Sequence, residues 1–282
     1  MRMSVREFLT LENPFLRISV DPLAGGRVTS LLDREYDFEH VAYDPSYVPA
    51  DPEKDYDSNF AGGMDELLPC DLPEHSFPDH GELWNLVLEA ERTGENTLRL
   101  QGKLPLSHLF YERTMELSGK SLRCSYAITN QGKKPLHFLW KLHGAMRIFP
   151  GDRLFAPAAC IQAADPGDWS RASDGMPRTF VNPYVVGEMD RKSDFFFLTD
   201  LEEGKILLQH ENGRAVRCTF DLKVFPSCWI FCSFGRLNNS RCMILEPCTN
   251  YPLSLEDAIR NKCCAFLAPG ETLRSTVLWE CL

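Results

Sequence analysis

The sequence predicts an all-β protein, either a sandwich or a barrel, with one or two short helices. Short apolar or alternating runs recur through the 282 residues, and turn signals such as Gly25-Gly26 and Asn212-Gly213 separate them. Only one stretch carries a helix-start pattern, and phosphate-binding glycine loops and nucleophile elbows are absent. Because no repeat or change in composition divides the chain, we expect a single domain over residues 1–282.

Each strand is predicted from its own pattern of apolar residues. The strand-like runs are residues 15–20, 27–32, 86–93, 97–104, 108–118, 121–130, 136–149, 194–200, 205–210, 215–225, 228–235, 243–245 and 273–279. The first two runs flank a Gly-Gly turn and predict an opening hairpin. Ser254 and Asp257 resemble a capping box and predict a short helix over residues 255–261.

Charge and hydropathy exclude several classes of partner. The formal net charge is −10, and no basic run offsets it, so neither nucleic acid nor an anionic membrane is an expected partner. No apolar run approaches the roughly 20 residues of a spanning helix. The N-terminal residues 1–15 carry charges where a signal peptide needs an apolar core, so a cytoplasmic location is expected. The expected partner is a small molecule, and a homodimer is compatible with the sequence.

The eleven cysteines are expected to be reduced thiols rather than a disulfide framework. Cys228 and Cys232 cannot share one metal, because four residues of strand span about 13 Å. The adjacent Cys263 and Cys264 should point apart. We therefore expect small buried apolar side chains here, and neither a metal nor another cofactor.

Glu246 is the first candidate for chemistry. It follows a short apolar strand, Met243 to Leu245, and directly precedes Pro247. Proline restricts the preceding residue to extended geometry and cannot donate to a ladder. This predicts that Glu246 occupies the last position of a strand, aimed into a cleft. A glutamate pointing into solvent explains the same pattern equally well.

The strand over residues 136–149 is the most informative one. Alternation should place Phe138, Trp140 and Leu142 on a core face. The other face then carries His137, Leu139, Lys141 and His143, which suits a wet cleft. For His143 the alternative is a hydrogen-bonded structural histidine, and for Lys141 it is a solvated charge at a sheet edge.

Two segments, 33–63 and 71–84, have little periodicity, and residues 150–193 form an excursion of short strands and loops. Long irregular segments in a compact protein are more often functional than idle. The 71–84 segment is crowded with polar side chains: Glu74, His75, Asp79, His80 and Glu82. It is compatible with a solvated loop, with a metal site, or with a substrate site in which His80 binds the ligand and Trp84 forms an apolar wall.

Four motifs together resemble the aldose 1-epimerase, or galactose mutarotase-like, superfamily. They are an early Gly-Gly-Arg hairpin, the loop PDHGELW, the strand LWKLHGAM and the late run LEPCTNYPLSLEDA followed by LAPGET. They occur in the family's order over residues 15–280, and the Glu-Pro-Cys-Thr run with its LAPGET turn is the most specific. The resemblance implies a large antiparallel β-sandwich of the mutarotase supersandwich type, with a sugar site on its concave face.

The resemblance also implies roles for individual residues. Glu246 would remove the proton of the anomeric hydroxyl, and His143 would protonate the ring oxygen, without a cofactor. His80 would hydrogen-bond the sugar, and Trp229 would stack on it. Asp65 or Glu66, from GMDELLP, which is expected to be a loop, would bind hydroxyls.

The sequence departs from the family pattern in two places. Glu82, Leu83 and Trp84 follow the loop His-Gly pair where the family has a nearby arginine, and Gly144 follows His143 where an aromatic residue is common. A divergent sugar specificity is therefore expected, and Lys141 would favour an acidic or phosphorylated sugar.

Two other functions remain open at this point. One is a carbohydrate-binding module without catalysis on the same fold. The other is a metal-dependent isomerase or hydrolase that uses His75, Asp79, His80 and Glu82.

Overall fold

The structure is a computed structural model that describes residues 7–48, 50–51, 53–164 and 176–282. The expectation for residues 1–15 therefore lies partly outside the described residues. The same is true of the expectation for residues 150–193. No helix in the described ranges is long and apolar enough to cross a membrane.

In the part of the chain that the structure describes, two large antiparallel sheets share one core. The first sheet has eleven strands, in the spatial order β1 (Leu9–Glu12), β2 (Leu16–Asp21), β3 (Arg27–Asp33), β5 (Met64–Leu67), β11 (Lys141–Arg147), β20 (Arg241–Cys248), β19 (Ser227–Phe234), β16 (Ser193–Leu201), β13 (Ala158–Ala163) and β14 (Arg178–Thr179), with β4 (Phe38–Glu39) paired to β3. The second has nine strands, in the order β15 (Tyr184–Val185), β12 (Arg153–Phe155), β17 (Lys205–Gln209), β18 (Ala215–Thr219), β22 (Thr272–Cys281), β9 (Ser121–Asn130), β8 (Leu109–Ser118), β7 (Thr97–Lys103) and β6 (Glu89–Gly94).

Smaller elements complete the described chain. They are the two-stranded sheet of β10 (Leu136–Phe138) and β21 (Ala265–Leu267), the helix α1 (Leu255–Asn261), and 3-10 turns at Pro45–Tyr47 and Asp57–Asn59. The all-β sandwich predicted from the sequence is confirmed. The predicted helix is confirmed with its cap, since the Ser254 side chain accepts the backbone N–H of Asp257 at 3.3 Å.

The strand predicted over residues 136–149 is two strands in different sheets. The chain leaves the ladder at Leu139 and Trp140, because their backbone N–H groups donate to Pro69 O at 2.7 Å and to Thr249 Oγ1 at 2.9 Å. The predicted separation of faces is nevertheless confirmed. Phe138, Trp140 and Leu142 pack in the main core, whereas Leu139 belongs to the apolar cluster on the other face of the first sheet.

Glu246 was predicted to be the last residue of its strand, and this prediction is wrong. β20 continues through Pro247 to Cys248, because both residues still pair with β19. Pro247 instead interrupts the ladder with β11 on the other side, where its missing N–H removes a donor. The GMDELLP segment was also expected to be a loop, and its residues 64–67 form β5 between β3 and β11.

Glu66 was predicted to bind sugar hydroxyls, and this prediction is wrong. Successive strand residues point to opposite faces, so Glu66 faces the core while its neighbour Asp65 faces the other side. One carboxylate oxygen accepts hydrogen bonds from Tyr111 Oη and Arg113 Nη1, both at 2.9 Å. The other accepts the indole N–H of Trp140 at 2.9 Å. Glu66 thus joins the two sheets through a buried ion pair.

Removing the Glu66 carboxylate should strongly destabilise the fold. In Glu66→Ala the buried Arg113 guanidinium loses its counter-charge, and we expect a loss of ~3–5 kcal/mol in the free energy of unfolding by urea titration. The control is Glu91→Ala, which removes an exposed strand glutamate paired with Arg99 at 3.7 Å and should cost below ~1 kcal/mol. Similar losses in both variants would contradict a stabilising role for the Glu66 network.

Candidate functional site

Four residues singled out from the sequence form one row across the centre of the first sheet. They are Asp65 on β5, His143 on β11, Glu246 on β20 and Trp229 on β19. Asp65 pairs with His143, and Glu246 pairs with Trp229. The register between β11 and β20 puts His143 opposite Glu246. Because neighbouring strands lie about 4.8 Å apart, the candidate acid and base are direct neighbours on one face.

The strand β11 supplies two of the functional side chains because it alternates. Lys141 and His143 point to the site, while Leu142 points into the core between the sheets. Gly144 also faces that core, where an added Cβ would lie 2.8 Å from Cη2 of Trp279. A glycine rather than an aromatic residue therefore follows His143, because Trp279 of the second sheet leaves no room for a side chain at position 144.

A buried ammonium lies beside the row. Lys141 Nζ is 2.6 Å from Asp71 Oδ1 and 2.7 Å from Glu246 Oε2, and it lies 4.6 Å from the centre of the Trp229 ring. Burial opposes the charge of Lys141, but Asp71 and Glu246 outweigh it and raise its pKa. Lys141 is 3% exposed, so it is not the solvated edge charge considered from the sequence. Its charge is already neutralised by two carboxylates, which removes the reason to expect an acidic or phosphorylated sugar.

Asp65 organises the other end of the row. Its Oδ1 is 2.9 Å from His143 Nδ1, and its Oδ2 accepts hydrogen bonds from Arg27 at 2.9 Å and from Tyr56 Oη at 3.0 Å. Burial would raise the pKa of Asp65, but Arg27, His143 and the Tyr56 hydroxyl lower it to about 2. An ionised Asp65 favours a proton on His143 Nδ1, so Nε2 is the ring nitrogen that remains for a ligand.

His80 lies behind this row. Its ring stacks on Tyr56, with centroids 4.1 Å apart and planes at 9°. Its Nδ1 is 3.0 Å from Asp79, and its Nε2 is 4.0 Å from Asp71. Burial would lower the pKa of His80, but Asp71 and Asp79 raise it above its usual value.

The glycine after His80 is fixed rather than flexible. Gly81 has φ +74° and forms an isolated bridge with Leu68, and an added Cβ would lie 2.3 Å from the Leu68 carbonyl oxygen. Only glycine adopts this backbone without strain at so close an approach. His80 is therefore held at a defined position.

The row is closed in this structure. Glu246 is 1% exposed and His143 is 5% exposed. The rings of Tyr56 and Phe60 contact His143 edge-on, with centroids 5.6 Å and 6.0 Å away. A neighbouring cavity of about 600 Å³ is lined by Tyr56 and Trp84, but by neither Glu246 nor His143.

The structure thus brings together most of the predicted side chains, with three exceptions. Trp84 lies next to the row rather than in it, and its ring contacts Tyr56 edge-on with centroids 5.2 Å apart. Glu66 faces the core, as described above. His137, expected on the wet face of the strand, is exposed in the small β10–β21 sheet, with Nδ1 3.4 Å from Cys264 Sγ.

Sequence reasoning missed three members of the site: Arg27, Tyr56 and Asp71. Arg27 lies in the Gly-Gly-Arg hairpin, which was a motif without an assigned role. Tyr56 and Asp71 lie in or at the edge of the two irregular segments that were expected to be functional. The positions of these three residues depend on the long-range pairing of the strands, which the sequence pattern does not show.

The four residues considered for a metal site do not converge. The carboxylate of Glu82 accepts the backbone N–H groups of Leu106 at 2.6 Å and Ser107 at 2.9 Å, and His75 is exposed. Across the described ranges, no group of three or more His, Cys, Asp or Glu side chains is arranged to hold a metal ion. All eleven cysteines are free thiols, and most are buried.

Glu74 connects the loop of His80 to the segment that follows Glu246. Its carboxylate accepts the Ser254 hydroxyl at 2.9 Å and the Leu255 backbone N–H at 2.7 Å. Glu74 therefore adds a carboxylate to the start of α1, which the Ser254 hydroxyl also caps.

Comparison with solved structures identifies the fold. The Slr1438 protein of Synechocystis sp. PCC 6803 has a TM-score of 0.79 and 17% identity, covering 100% of this chain and 99% of that one. A galactose mutarotase related enzyme from Lactobacillus acidophilus has a TM-score of 0.73 and 12% identity, covering 98% and 97%. The fold is galactose mutarotase-like. A galactose mutarotase-like protein from Clostridium acetobutylicum also matches, with a TM-score of 0.72 and 14% identity over 98% and 95% of the two chains.

The galactose mutarotase-like fold is recognisable here in spite of a divergent sequence. No protein-family model and no curated protein sequence matches the chain. The resemblance predicted from the sequence is thus confirmed for the fold.

The raised pKa of His80 predicts a pH-dependent contribution to stability. An unfolded histidine titrates near ~6.5, so the folded imidazolium stabilises the protein below that pH, and the contribution is lost as pH rises through the higher folded pKa. Urea unfolding of the wild type and of His80→Gln should therefore differ most below pH ~6.5 and converge as the pH rises through the higher pKa of folded His80.

The matched control is His108→Gln. His108 is exposed and, like His80, has φ +58°, so the substitution imposes the same backbone conformation. A difference that stayed constant with pH, or that appeared equally in the His108 variant, would contradict the interaction of His80 with Asp71 and Asp79.

Proposed function

We propose that the chain binds a sugar on the outer face of the first sheet and interconverts its α and β anomers. The observation that carries this proposal is the adjacency of His143 and Glu246 in one cross-strand row. In a pyranose, the anomeric hydroxyl and the ring oxygen are both bonded to C1. A base and an acid that act on these two atoms must therefore be close neighbours, as these two side chains are.

The proposed reaction needs only proton transfers. Glu246 takes the proton of the anomeric hydroxyl while the imidazolium of His143 gives the Nε2 proton to the ring oxygen, and the bond from C1 to the ring oxygen breaks. Rotation about C1–C2 in the open-chain aldehyde is followed by closure on the other face. On closure both protons return, so each group ends in its starting state.

The surrounding charges support these roles. The ammonium of Lys141 lies 2.7 Å from Glu246 Oε2, so the candidate base has a cation beside it. The carboxylate of Asp65 lies 2.9 Å from His143 Nδ1 and orients the ring, which leaves Nε2 as the nitrogen that faces a sugar. Trp229, next to Glu246 in the row, is fully buried with Lys141 over its ring, so it can stack on the C–H groups of a sugar only once the row has opened.

Sugar binding requires the closed row to open. Glu246 and His143 are almost fully buried, and Tyr56 and Phe60 are the rings that contact His143. We infer that Tyr56 moves, since it also lines the neighbouring 600 Å³ cavity through which a sugar could approach. The likeness to a galactose mutarotase related enzyme supports the choice of a sugar as the ligand.

The proton-transfer role of Glu246 is tested by exchange NMR of anomers over a panel of aldoses. The protein should accelerate interconversion of at least one aldose, and Glu246→Gln should lower that rate by ~10²–10⁴-fold, the usual contribution of one acid–base group. His143→Gln should lower it by a similar factor. Glu91→Gln, on an exposed strand position, is the control and should leave the rate unchanged.

A urea titration of each variant separates loss of catalysis from loss of the fold. If no aldose is accelerated by the wild type, or if Glu246→Gln keeps the full rate while folded, the proposed reaction is wrong.

A second candidate function is sugar binding without turnover, and the Lys141–Glu246 ion pair favours it. In that pair the ammonium lies 2.7 Å from Glu246 Oε2, so a sugar hydroxyl has to displace Lys141 before this oxygen can take its proton. In this case calorimetry should detect a sugar that binds equally to the wild type and to Glu246→Gln, with no acceleration of anomer exchange. Binding together with catalysis that depends on Glu246 would exclude this alternative.

A further inference from the structure

A separate cavity of about 390 Å³ lies at the far end of β11 and β20 from Lys141. Arg147, at the end of β11, and Arg241, at the start of β20, are neighbours there because Arg147 pairs with Cys242 in the antiparallel ladder. Six residues of strand put Arg147 about 20 Å from Lys141. Phe60 lines the cavity and also contacts His143 edge-on, so its ring separates the two regions.

The two guanidinium groups carry charges that the fold does not neutralise. Arg147 Nε donates to the carbonyl of Val41 at 3.1 Å, and Arg241 makes no side-chain hydrogen bond within the described residues. In those residues neither arginine forms an ion pair, although the chain has a net charge of −10. The wall contains one carboxylate, Asp44, which accepts the backbone N–H of Ser46 at 2.9 Å and keeps its negative charge, so the two arginines leave the wall with a net positive charge.

The turn that carries the rest of the polar wall is fixed in place. Asn238 and Asn239 have φ angles of +49° and +56°, and Ser240 N donates to Leu237 O at 2.7 Å. The Asn238 side chain donates to the carbonyls of residues 57 and 60, at 3.0 Å and 3.1 Å. This anchoring means that Arg241, directly after the turn, is attached to a rigid support.

We propose that this cavity binds a small molecule that carries an oxyanion, either a phosphate or a carboxylate group, on an apolar or planar body. Arg147 and Arg241 both line the cavity, and each guanidinium can donate two parallel hydrogen bonds to the paired oxygens of such an anion. The rings of Tyr47 and Phe149 line the same cavity and contact the body of the ligand. The volume falls in the range of small-molecule sites.

Calorimetry at low salt tests the proposal with three probes: inorganic phosphate, phenyl phosphate and benzoate. Arg241→Gln is the cleaner variant because the Arg241 side chain supports no hydrogen bond of the described fold. Arg147→Gln is the second variant. Each should weaken binding about tenfold or more, the usual effect of losing one charge-assisted hydrogen bond. Arg274→Gln, an exposed position on β22, is the control and should have no effect.

The probes distinguish the sources of the anion and the role of the aromatic wall. Phenyl phosphate should bind more tightly than inorganic phosphate if the rings contact the ligand, and its affinity relative to benzoate identifies the preferred oxyanion. No binding of any probe, or equal binding by the wild type and both arginine variants, would overturn the proposal.

Measuring the rate of anomer exchange in the same variant tests whether this cavity is distinct from the sugar site. Arg241→Gln should leave the exchange rate unchanged, because the cavity lies beyond Phe60 from His143. A parallel loss of exchange and of anion binding in this variant would make the cavity part of the sugar site and would overturn a separate anion site.

Discussion

The ammonium of Lys141, enclosed by two carboxylates, is the interaction on which the candidate site depends. Each of the three charges is nearly inaccessible to water, and a buried ion that loses its partner costs several kcal/mol. Lys141, Asp71 and Glu246 must therefore be desolvated together, although they come from β11, an irregular segment and β20. Folding of the polar loop onto the sheet is thus coupled to the charge balance of the site.

The same arrangement sets a limit on the chemistry. The Lys141 ammonium lies 2.7 Å from Oε2 of Glu246, the candidate base. At the other end of the row, Arg27, His143 and Tyr56 lower the pKa of Asp65 to about 2. A sugar that entered the site would therefore have to compete with Lys141 for the Glu246 oxygens.

The part of the site that could be predicted from sequence is the part that local alternation determines. Period two along β11 correctly separated Lys141 and His143 from the core residues. Glu66 was misassigned because four residues, 64–67, carry too short a pattern to be recognised as a strand. The burial of Lys141 could not be predicted, because its partner Asp71 is 70 residues away in sequence. Such contacts depend on which distant strands pair with each other, and the local patterns of a single sequence do not show this pairing.

The role of the irregular segments was predicted in outline but not in detail. Their composition indicated function, and the segment 33–63 does supply Tyr56, while the segment 71–84 supplies Asp71 and His80. Which of their many polar side chains reach the sheet depends on backbone anchors such as the bridge from Leu68 to Gly81. In the sequence, the only sign of the anchor between Leu68 and Gly81 is a single glycine, which does not by itself predict a bridge.

The alternation of β11 has a consequence for how this chain can change over time. Inserting or deleting one residue within Lys141–Arg147 would turn the ammonium and the imidazole toward the space between the sheets, and would turn apolar side chains toward the polar row. Both errors would occur at once unless a β-bulge absorbed the change. A change of two residues would keep each side chain on its own face, whereas a change of one residue requires such a bulge.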